Sequence, residues 1–283
     1  MARLRPVPAL SIGARATAEL LERYGLRPDK RLGQHFLIDP NQVDRIVRLA
    51  GVEAGDHVVE VGPGLGALTA GLVEAGATVV AVEIDEGLVR VIEGEFDIPQ
   101  VSVVHADALE DDWSTAAPAE HSWAMVANLP YNVATPLVLD VLDDVPQVTS
   151  MLVMVQREVA ERLVAPPGSS TYGVPSVKVA YWATGELVAK IPPSVFLPPP
   201  RVESALVRLK RHETRRFDEP VDKVFALVKA AFNQRRKMLR KSLGGLVDAE
   251  VFEAAGVDPQ ARPEQIGVED WVALARARRE ASS

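Results

Sequence analysis

The stretch HVVEVGPGLGALTAGLVEAGATVVAVEID, residues 57–85, predicts the fold class of this chain. It contains a short apolar run, a glycine turn, a helical stretch and a second apolar run, at residues 57–61, 62–66, 67–76 and 78–84. Short apolar runs bounded by glycine or acidic residues suit strands that are buried on both faces. A strand, a helix and a second strand in close succession predict two parallel strands joined by a crossover helix.

The same alternation of strands and helices continues beyond this stretch. Three further apolar runs of strand length lie at residues 101–107, 123–128 and 149–156. Two later runs, GELVAKIPP (185–193) and ESALVRLKR (203–211), are joined by the proline-rich link VFLPPPRV and are close enough to pair antiparallel at the far edge of the sheet. The expected fold class is therefore α/β, with a Rossmann-like sheet of seven strands whose last pair is antiparallel.

The character of the chain changes after the last predicted strand. From about residue 217 onward the sequence is helical, with VDKVFALVKAAF, RKMLRKSL, AEVFEAAG and VEDWVALARARR as its main segments. At the other end, residues 11–25 predict a short amphipathic helix. We therefore expect a basic N-terminal extension (1–30), an α/β domain (31–213) and a small all-helical C-terminal domain (214–283).

The composition excludes several kinds of site. The chain has no cysteine, which excludes disulfides, thiolate metal sites and cysteine nucleophiles. Its five histidines are scattered without a pair at helical metal-ligand spacing, so no metal is expected. No stretch approaches the roughly 18 apolar residues of a membrane span, and the first ten residues lack the apolar run of a secretory signal. We therefore expect a cytoplasmic protein.

The charge of the chain is unevenly distributed. The net charge is −8, but residues 201–241 carry thirteen Lys and Arg against five Asp and Glu. That stretch has a balance of +8, which leaves −16 for the rest. A local basic face sets phosphate affinity, whereas global acidity mainly affects solubility. The distribution therefore permits a nucleic-acid partner.

Glycines and acidic residues follow the predicted strands. Gly62, Gly64 and Gly66 let the backbone turn sharply and approach a ligand closely. Glu83 ends the second strand about 20 residues further on, where a carboxylate accepts hydrogen bonds from ribose hydroxyls. Asp107 follows the third strand, where its carboxylate suits an adenine amine. Each acid alone could be a helix cap, and a dinucleotide site shares these features, so the pattern leaves the cofactor open.

The motif NLPY, Asn128 to Tyr131, follows the fourth strand and points to one kind of chemistry. The lone pair of an exocyclic amine is delocalised into the purine ring, which makes the nitrogen a poor nucleophile. Acceptors on its two N–H groups, such as the Asn128 side chain and the carbonyl of Leu129 or Pro130, pull the nitrogen toward sp3 geometry. Tyr131 offers a flat face on which an extruded base can stack. The alternative is a rigid proline turn with a surface tyrosine.

Taken together, the motifs of this chain resemble those of one family. They occur in the order GQHFLID (33–39), EVGPGLGALT (60–69), VEID (82–85), DAL (107–109), NLPYNVATP (128–136), FLPPPRVESALVRL (196–209) and AFNQRRKMLRKSL (231–243). This series is similar to that of the KsgA-type small-subunit ribosomal RNA adenine dimethyltransferases, over about residues 30–280. The resemblance implies an S-adenosylmethionine-dependent methyltransferase fold. It also implies dimethylation of N6 on two adjacent adenosines near the 3′ end of 16S rRNA, in the small ribosomal subunit or its precursor, by a monomeric enzyme.

The resemblance also implies roles for individual residues. Those expected to bind the cofactor are His35, Leu37, Gly62, Gly64, Glu83, Asp107 and Asn128. His35 departs from the asparagine that many members have there. Those expected to carry the methyl transfer are Asn128, Leu129, Pro130 and Tyr131. Tyr131 and Phe196 match two aromatic residues of the target-base pocket, although Phe196 could equally be a core residue.

The basic stretch FNQRRKMLRKSL predicts a helix along the phosphate backbone. The residues expected to contact RNA are Arg235, Arg236, Lys237 and Arg240, with a solvated surface face as the alternative. Arg23, Arg27, Lys30 and Arg31 are a further basic set that could add to this surface.

Three rival functions remain open from the sequence. One is an enzyme of the same fold that methylates large-subunit rRNA and confers macrolide resistance. The others are a catalytically idle RNA-binding or transcription factor and an NAD-dependent enzyme. The resistance enzyme shares the glycine turn and the Asn-x-Pro-aromatic motif, but the FNQRRKMLRKSL stretch and the FLPPPRVES link favour the housekeeping methyltransferase over it. The intact NLPY motif disfavours the idle factor, and an NAD-dependent enzyme leaves both NLPY and the basic stretch unexplained.

Overall fold

The computed structural model describes residues 13–29 and 31–282. The first part of the predicted N-terminal extension, residues 1–12, and Lys30 of the basic N-terminal set lie outside the described residues. Within the described part, the α-helices are α1 Ala14–Arg23, α2 Pro40–Ala50, α3 Ala67–Glu74, α4 Glu86–Glu95, α5 Ala134–Asp144, α6 Arg157–Leu163, α7 Val174–Trp182, α8 Val221–Phe232, α9 Leu239–Ser242, α10 Ala249–Ala255 and α11 Val268–Ala281. The strands are β1 Phe36–Leu37, β2 His57–Val61, β3 Thr78–Glu83, β4 Val101–His105, β5 Trp123–Asn128, β6 Val148–Gln156, β7 Ala183–Ile191, β8 Phe196–Leu197 and β9 Ser204–Arg211.

Seven of the described strands form one mixed sheet in the order β4-β3-β2-β5-β6-β9-β7. The first five strands are parallel to their neighbours, and β9 is antiparallel to β6. The central strands consist almost wholly of buried residues, because helices cover both faces of a parallel sheet. The predicted α/β class with a seven-stranded sheet is confirmed. A separate two-stranded ribbon pairs β1 with β8 antiparallel.

The chain divides into two compact units, of which the first contains most of the sheet. It comprises the described residues up to Ala160 together with Glu186–Arg211. Helix α1 belongs to this unit, because Leu20 and Leu21 pack in an apolar cluster with Phe36 of β1. The packing therefore does not separate residues 13–29 from the α/β domain, in contrast to the expected extension 1–30.

The second unit is helical and begins earlier in the chain than expected. It comprises Glu161–Gly185 and the described residues from His212 onward. Residues 161–185, which the sequence placed in the α/β domain, belong here because Val177 and Tyr181 of α7 are buried in one apolar cluster with the residues of α8 and α11. The later segment of this unit begins at His212, two residues before the expected start of the C-terminal domain at residue 214.

The prediction of one basic helix over FNQRRKMLRKSL is wrong. Helix α8 ends at Phe232, and residues 233–237 form turns. In the remainder of this stretch only the short α9 is helical. The turn brings Leu239 into the core of the second unit, where it is fully buried. There the backbone N–H groups of Leu239 and Arg240 donate to the carbonyls of Ala261 and Pro259, 2.8 and 3.0 Å away. These long-range bonds replace the helical ladder.

Candidate active site at the carboxyl edge of the sheet

A cavity of about 330 Å³ lies in the first unit, where the carboxyl ends of the parallel strands meet. Ligand pockets of α/β sheets form at this edge. The predicted site residues that line it are His35, Leu37, Gly62, Gly64, Glu83, Asp107, Asn128, Leu129, Pro130 and Tyr131. The fold therefore brings together every residue that the sequence assigned to cofactor binding or methyl transfer.

The glycine turn after β2 is shaped by close contacts as well as by backbone conformation. Gly64 and Gly66 have φ of 59° and 82°, in the left-handed region that favours glycine. A Cβ on Gly66 would lie 2.4 Å from a ring carbon of Phe96, and one on Gly64 would lie 3.0 Å from a ring carbon of Phe36. A larger residue at either position would displace an aromatic ring, and the ring of Phe36, which Gly64 approaches, lines the cavity.

Glu83, at the end of β3, holds the turn in place. Its Oε2 accepts from the Gly64 N–H at 3.4 Å, and its Oε1 accepts from the backbone N–H groups of Ile84 and Asp85 at 2.9 Å each. Burial raises the pKa of this carboxyl, against the lowering effect of these hydrogen bonds. A carboxylate that is 5% exposed and anchored by backbone donors is positioned to accept hydrogen bonds from ligand hydroxyls.

Two exposed apolar side chains beside the acids were missed by the sequence reasoning. Ile84 is 48% exposed and Leu109 is 37% exposed, and both line the cavity. Asp107 fixes the second of them, because its Oδ1 accepts from the Leu109 N–H at 2.9 Å. Large exposed aliphatic side chains at a cavity wall suit a flat apolar ligand surface, such as a purine ring. Their positions directly after the acids at the strand ends were the available signal.

Glu60, near the carboxyl end of β2, is a further residue to which the sequence assigned no role. It is 1% exposed, it lines the cavity, and the Thr69 hydroxyl donates to its Oε2 at 2.6 Å. Burial raises the pKa of Glu60 to about 8; the Thr69 hydrogen bond lowers it and the charge of Glu83 adds to the rise. Glu60 is therefore mostly protonated near neutral pH, which removes one negative charge from the cavity floor.

The NLPY turn presents two acceptors. The Asn128 side-chain amide donates to the His35 carbonyl at 3.0 Å, which fixes the amide and leaves its Oδ1 to accept. The Pro130 carbonyl accepts from the N–H groups of Val133 and Ala134, at 3.2 and 3.1 Å, where α5 begins. Of the two carbonyls that the sequence proposed, that of Leu129 is therefore the better candidate acceptor for a substrate amine.

Tyr131 is partly buried and is contacted on two sides. Its hydroxyl lies 2.7 Å from the Ser204 hydroxyl, and its ring centroid lies 5.6 Å from that of His35. Burial raises the pKa of Tyr131, so the phenol stays neutral. The His35 ring is held in turn by its Nδ1, 2.7 Å from the Pro198 carbonyl.

Phe196 is not brought into this cavity. It is 2% exposed, it pairs with Leu37 across the ribbon of β1 and β8, and it lies in the apolar core. The pairing turns its side chain into the core with Val195 and Ile191, and the cavity is lined without it. The structure thus favours the core alternative for this residue.

The predicted RNA contacts lie in the second unit. Arg236, Lys237 and Arg240 are exposed. Arg235 forms contacts within the second unit, because its guanidinium donates to the Ser170 carbonyl at 2.9 Å and lies 3.8 Å from the Glu264 carboxylate. In the basic N-terminal set, Arg23 pairs with Glu95 and Arg31 pairs with Asp29.

No group of three or more His, Cys, Asp or Glu residues within residues 13–29 and 31–282 is arranged to hold a metal ion. In the same residues no helix is both long enough and apolar enough to cross a membrane.

Comparison with known proteins supplies the family. Residues 26–278 match the family described as ribosomal RNA adenine dimethylase. The ribosomal RNA small subunit methyltransferase A of Kineococcus radiotolerans is 48% identical over 98% of this chain and 95% of its own length. The protein of the same name from Leifsonia xyli is also 48% identical, over 93% of this chain and 97% of its own length.

Solved structures show the same fold. A dimethyladenosine transferase from Plasmodium falciparum superposes with a TM-score of 0.74 at 23% identity, covering 85% of this chain and 96% of the other. The 23S rRNA methyltransferase ErmE superposes with a TM-score of 0.67 at 24% identity, covering 86% and 98%. The family match spans both compact units and includes every motif from GQHFLID to the basic stretch. The chain therefore belongs to the ribosomal RNA adenine dimethylase family.

Proposed function

We propose that this enzyme transfers methyl groups from S-adenosylmethionine to N6 of two adjacent adenosines near the 3′ end of 16S rRNA, in the small ribosomal subunit or its precursor. The observation that carries the proposal is that NLPY, at the end of β5, lines the same cavity as the Glu83 carboxylate at the end of β3. One cavity therefore holds both a ribose-binding carboxylate and acceptors for an amine. Relatives at 48% identity carry the name small subunit methyltransferase A.

The residues that line the cavity fit S-adenosylmethionine. Glu83 would accept from the ribose hydroxyls, while Ile84 and Leu109 would flank the adenine ring and Asp107 would accept from its amine. The cavity volume of about 330 Å³ lies within the range of small-ligand sites. When bound, S-adenosylmethionine supplies a methyl group on a positively charged sulfur.

The residues of NLPY would prepare the target amine. In the first transfer, Asn128 Oδ1 and the Leu129 carbonyl accept hydrogen bonds from the two N6 hydrogens, so the nitrogen lone pair is released from the ring and directed outward. In the second transfer N6 carries one hydrogen, which one of these two acceptors holds. Tyr131 stacks against the target base, which must leave its helix to reach the cavity. The amine becomes positively charged as the new bond forms, so acceptors at its hydrogens stabilise the transition state more than the ground state. The extra proton is then lost to water, and no strong base is required.

The second unit would contribute affinity for the RNA backbone. The exposed cations Arg236, Lys237 and Arg240 suit contact with phosphate groups, which dominates the affinity of proteins for nucleic acids. The proposed substrate places the enzyme in the cytoplasm, where we propose that it acts as a monomer.

Asn128→Ala tests the proposal at the reacting group. We expect the rate of methyl transfer to small subunits that lack the modification to fall by about 100-fold or more, since an acceptor aimed at the reacting nitrogen is lost. The rate is measured at saturating S-adenosylmethionine, and the thermal unfolding midpoint, measured alongside, should remain close to that of the parent protein.

The matched control is Asn41→Ala, which removes an exposed asparagine side chain at the start of α2. This variant should retain the parent rate. Turnover by Asn128→Ala at a rate similar to that of Asn41→Ala would refute the role of Asn128.

A further inference from the structure

The segment FLPPPRVES, residues 196–204, was expected to act through the ring of Phe196, which is buried in the core instead. The segment nevertheless reaches the candidate site at two other points. The Pro198 carbonyl holds the His35 ring, and the Ser204 hydroxyl holds the Tyr131 hydroxyl. Both contacts converge on the same ring, since His35 lies against Tyr131.

Ser204 is a rigid anchor. It is fully buried, it is the first residue of β9, and it pairs with Gln156 at the end of β6. The preceding residue is tied to the same place, because the Glu203 carbonyl accepts from the Arg157 N–H at 3.0 Å and the two side chains form an ion pair at 2.9 Å. The hydroxyl of Ser204 therefore has little freedom to move away from its partner.

Tyr131 depends on this anchor for its orientation. Stacking uses the face of an aromatic ring and needs no hydroxyl, so the Tyr131 hydroxyl is available for another role. A ring that is partly exposed at a cavity wall can change its side-chain torsions unless its far end is fixed. The hydrogen bond to Ser204, at 2.7 Å, fixes that end, and the His35 ring limits movement on one side.

We propose that Ser204 is a positioning residue, which holds the Tyr131 ring in the orientation that receives the target adenine. The inference rests on the proposed function and deepens it, because it names a residue that acts on the base through Tyr131. Loss of the hydroxyl pair would leave the cavity wall intact and would let the base bind in more than one orientation. The turnover number would then fall, whereas the affinity for the methyl donor would not change.

A double-mutant cycle tests the inference. Ser204→Ala, Tyr131→Phe and the double variant are compared with the parent protein in methyl transfer to unmodified small subunits at saturating S-adenosylmethionine. We expect each single variant to lower kcat by on the order of tenfold, below the roughly 100-fold cost of misplacing a reacting group by 1 Å. The double variant should be no slower than Tyr131→Phe alone, since both changes break one hydrogen bond.

Two controls separate positioning from general damage. Ser176→Ala removes another buried serine hydroxyl, which donates to the Arg162 carbonyl in the second unit, and it should leave kcat unchanged. If Ser204→Ala lowers the thermal midpoint by more than a few degrees, Ser204→Cys preserves the volume of the side chain and takes its place in the cycle. The dissociation constant of S-adenosylmethionine should be the same for all variants.

The outcomes are distinct. Losses of kcat that multiply in the double variant, or a weaker affinity for S-adenosylmethionine in Ser204→Ala, would overturn the role of Ser204 while leaving the proposed function in place. If the parent protein itself does not methylate small subunits, the proposed function fails, and this result is seen before any variant is compared.

Discussion

At the scale of single residues, the candidate site combines groups that are charged with one that is kept neutral. Glu83 and Glu60 lie on neighbouring strands and both line the cavity, but only Glu83 accepts backbone N–H groups at both oxygens. Glu60 accepts a hydrogen bond from one hydroxyl only, that of Thr69, and is buried. Burial raises its pKa to about 8, although this hydrogen bond lowers it. The cavity therefore contains one carboxyl group anchored by backbone donors and a second, Glu60, that is mostly protonated near neutral pH.

The raised pKa of Glu60 predicts a pH dependence of stability. The pKa is about 4.5 in the unfolded chain and about 8 in the folded chain, so folding takes up a proton between these values. The stability contributed by this group is fully present below about pH 4.5 and is lost as the pH rises to about 8. The slope reaches on the order of 1 kcal/mol per pH unit at most.

Glu60→Gln removes the titration and keeps a partner for Thr69. We expect the difference in free energy of unfolding between variant and parent to shift in favour of the variant as the pH rises from 5 to 8, measured by urea denaturation at both values. A difference that stays constant with pH would show that Glu60 is ionised in the folded protein.

At the scale of elements, arginines on β9 stabilise the ends of two helices. The half-buried guanidinium of Arg211 donates to four carbonyls at and beyond the C-terminal end of α5, at distances between 2.9 and 3.3 Å: Leu142, Val141, Val145 and Val148. Arg208, on the same strand, donates to the Leu49 carbonyl at 2.7 Å, near the end of α2. Helix α5 begins shortly after the NLPY turn. Arg211 therefore stabilises the end of α5 that is farther from this turn.

Arg211→Met should destabilise the protein by about 2–3 kcal/mol, because it removes a charged donor that serves four carbonyls at and beyond the negative end of a helix. The measurement is the free energy of unfolding in urea. The control is Arg90→Met, which removes an exposed ion pair with Glu86 and should cost less than about 0.5 kcal/mol. A cost as small as that of the control would show that water replaces Arg211 as the donor.

Elements whose pattern was local were predicted well from the sequence. Strands β2 and β5 and helix α8 match their predicted bounds, because each is a continuous apolar or amphipathic run between clear breakers. The site residues that follow these strands were predicted for the same reason, since parallel strands bring their carboxyl ends to one edge.

Features set by distant contacts could not be predicted. The RKMLRKSL segment has helical propensity, but backbone hydrogen bonds to the carbonyls of Pro259 and Ala261 stabilise a turn and a short helix instead. Ser204 and Tyr131 are 73 positions apart in the chain, and the pairing of β9 with β6 brings them together. The placement of residues 161–185 in the second unit depends on packing against α8 and α11, which no local pattern indicates.

At the scale of the whole molecule, the basic stretch 201–241 has two uses. Part of its charge is engaged in contacts within the protein, since Arg208 and Arg211 donate to carbonyls at helix ends and Arg216 forms an exposed ion pair with Glu269. Another part, including Arg236 and Lys237, is exposed in the second unit. The net charge of −8 therefore describes solubility better than it describes the surface offered to RNA.

Charge reversal at the exposed cations should reduce the salt dependence of RNA binding. We expect Arg236→Glu and Lys237→Glu together to lower the slope of log K against log salt by about 1–2, since each cation contributes roughly 0.7–0.9 per phosphate neutralised. The slope is measured by filter binding between 50 and 200 mM salt, with Glu22→Gln on the exposed side of α1 as control. An unchanged slope in the double variant would place the phosphate contacts elsewhere.

The most direct test of the proposed function is the choice between the two ribosomal subunits. The protein is incubated with methyl-labelled S-adenosylmethionine and small subunits from cells that lack the modification, with large subunits in a parallel reaction. We predict label in N6-dimethyladenosine of the small-subunit rRNA and none in the large subunit. Label in the large-subunit rRNA alone, or no label in either subunit while S-adenosylmethionine still binds, would contradict the proposed substrate.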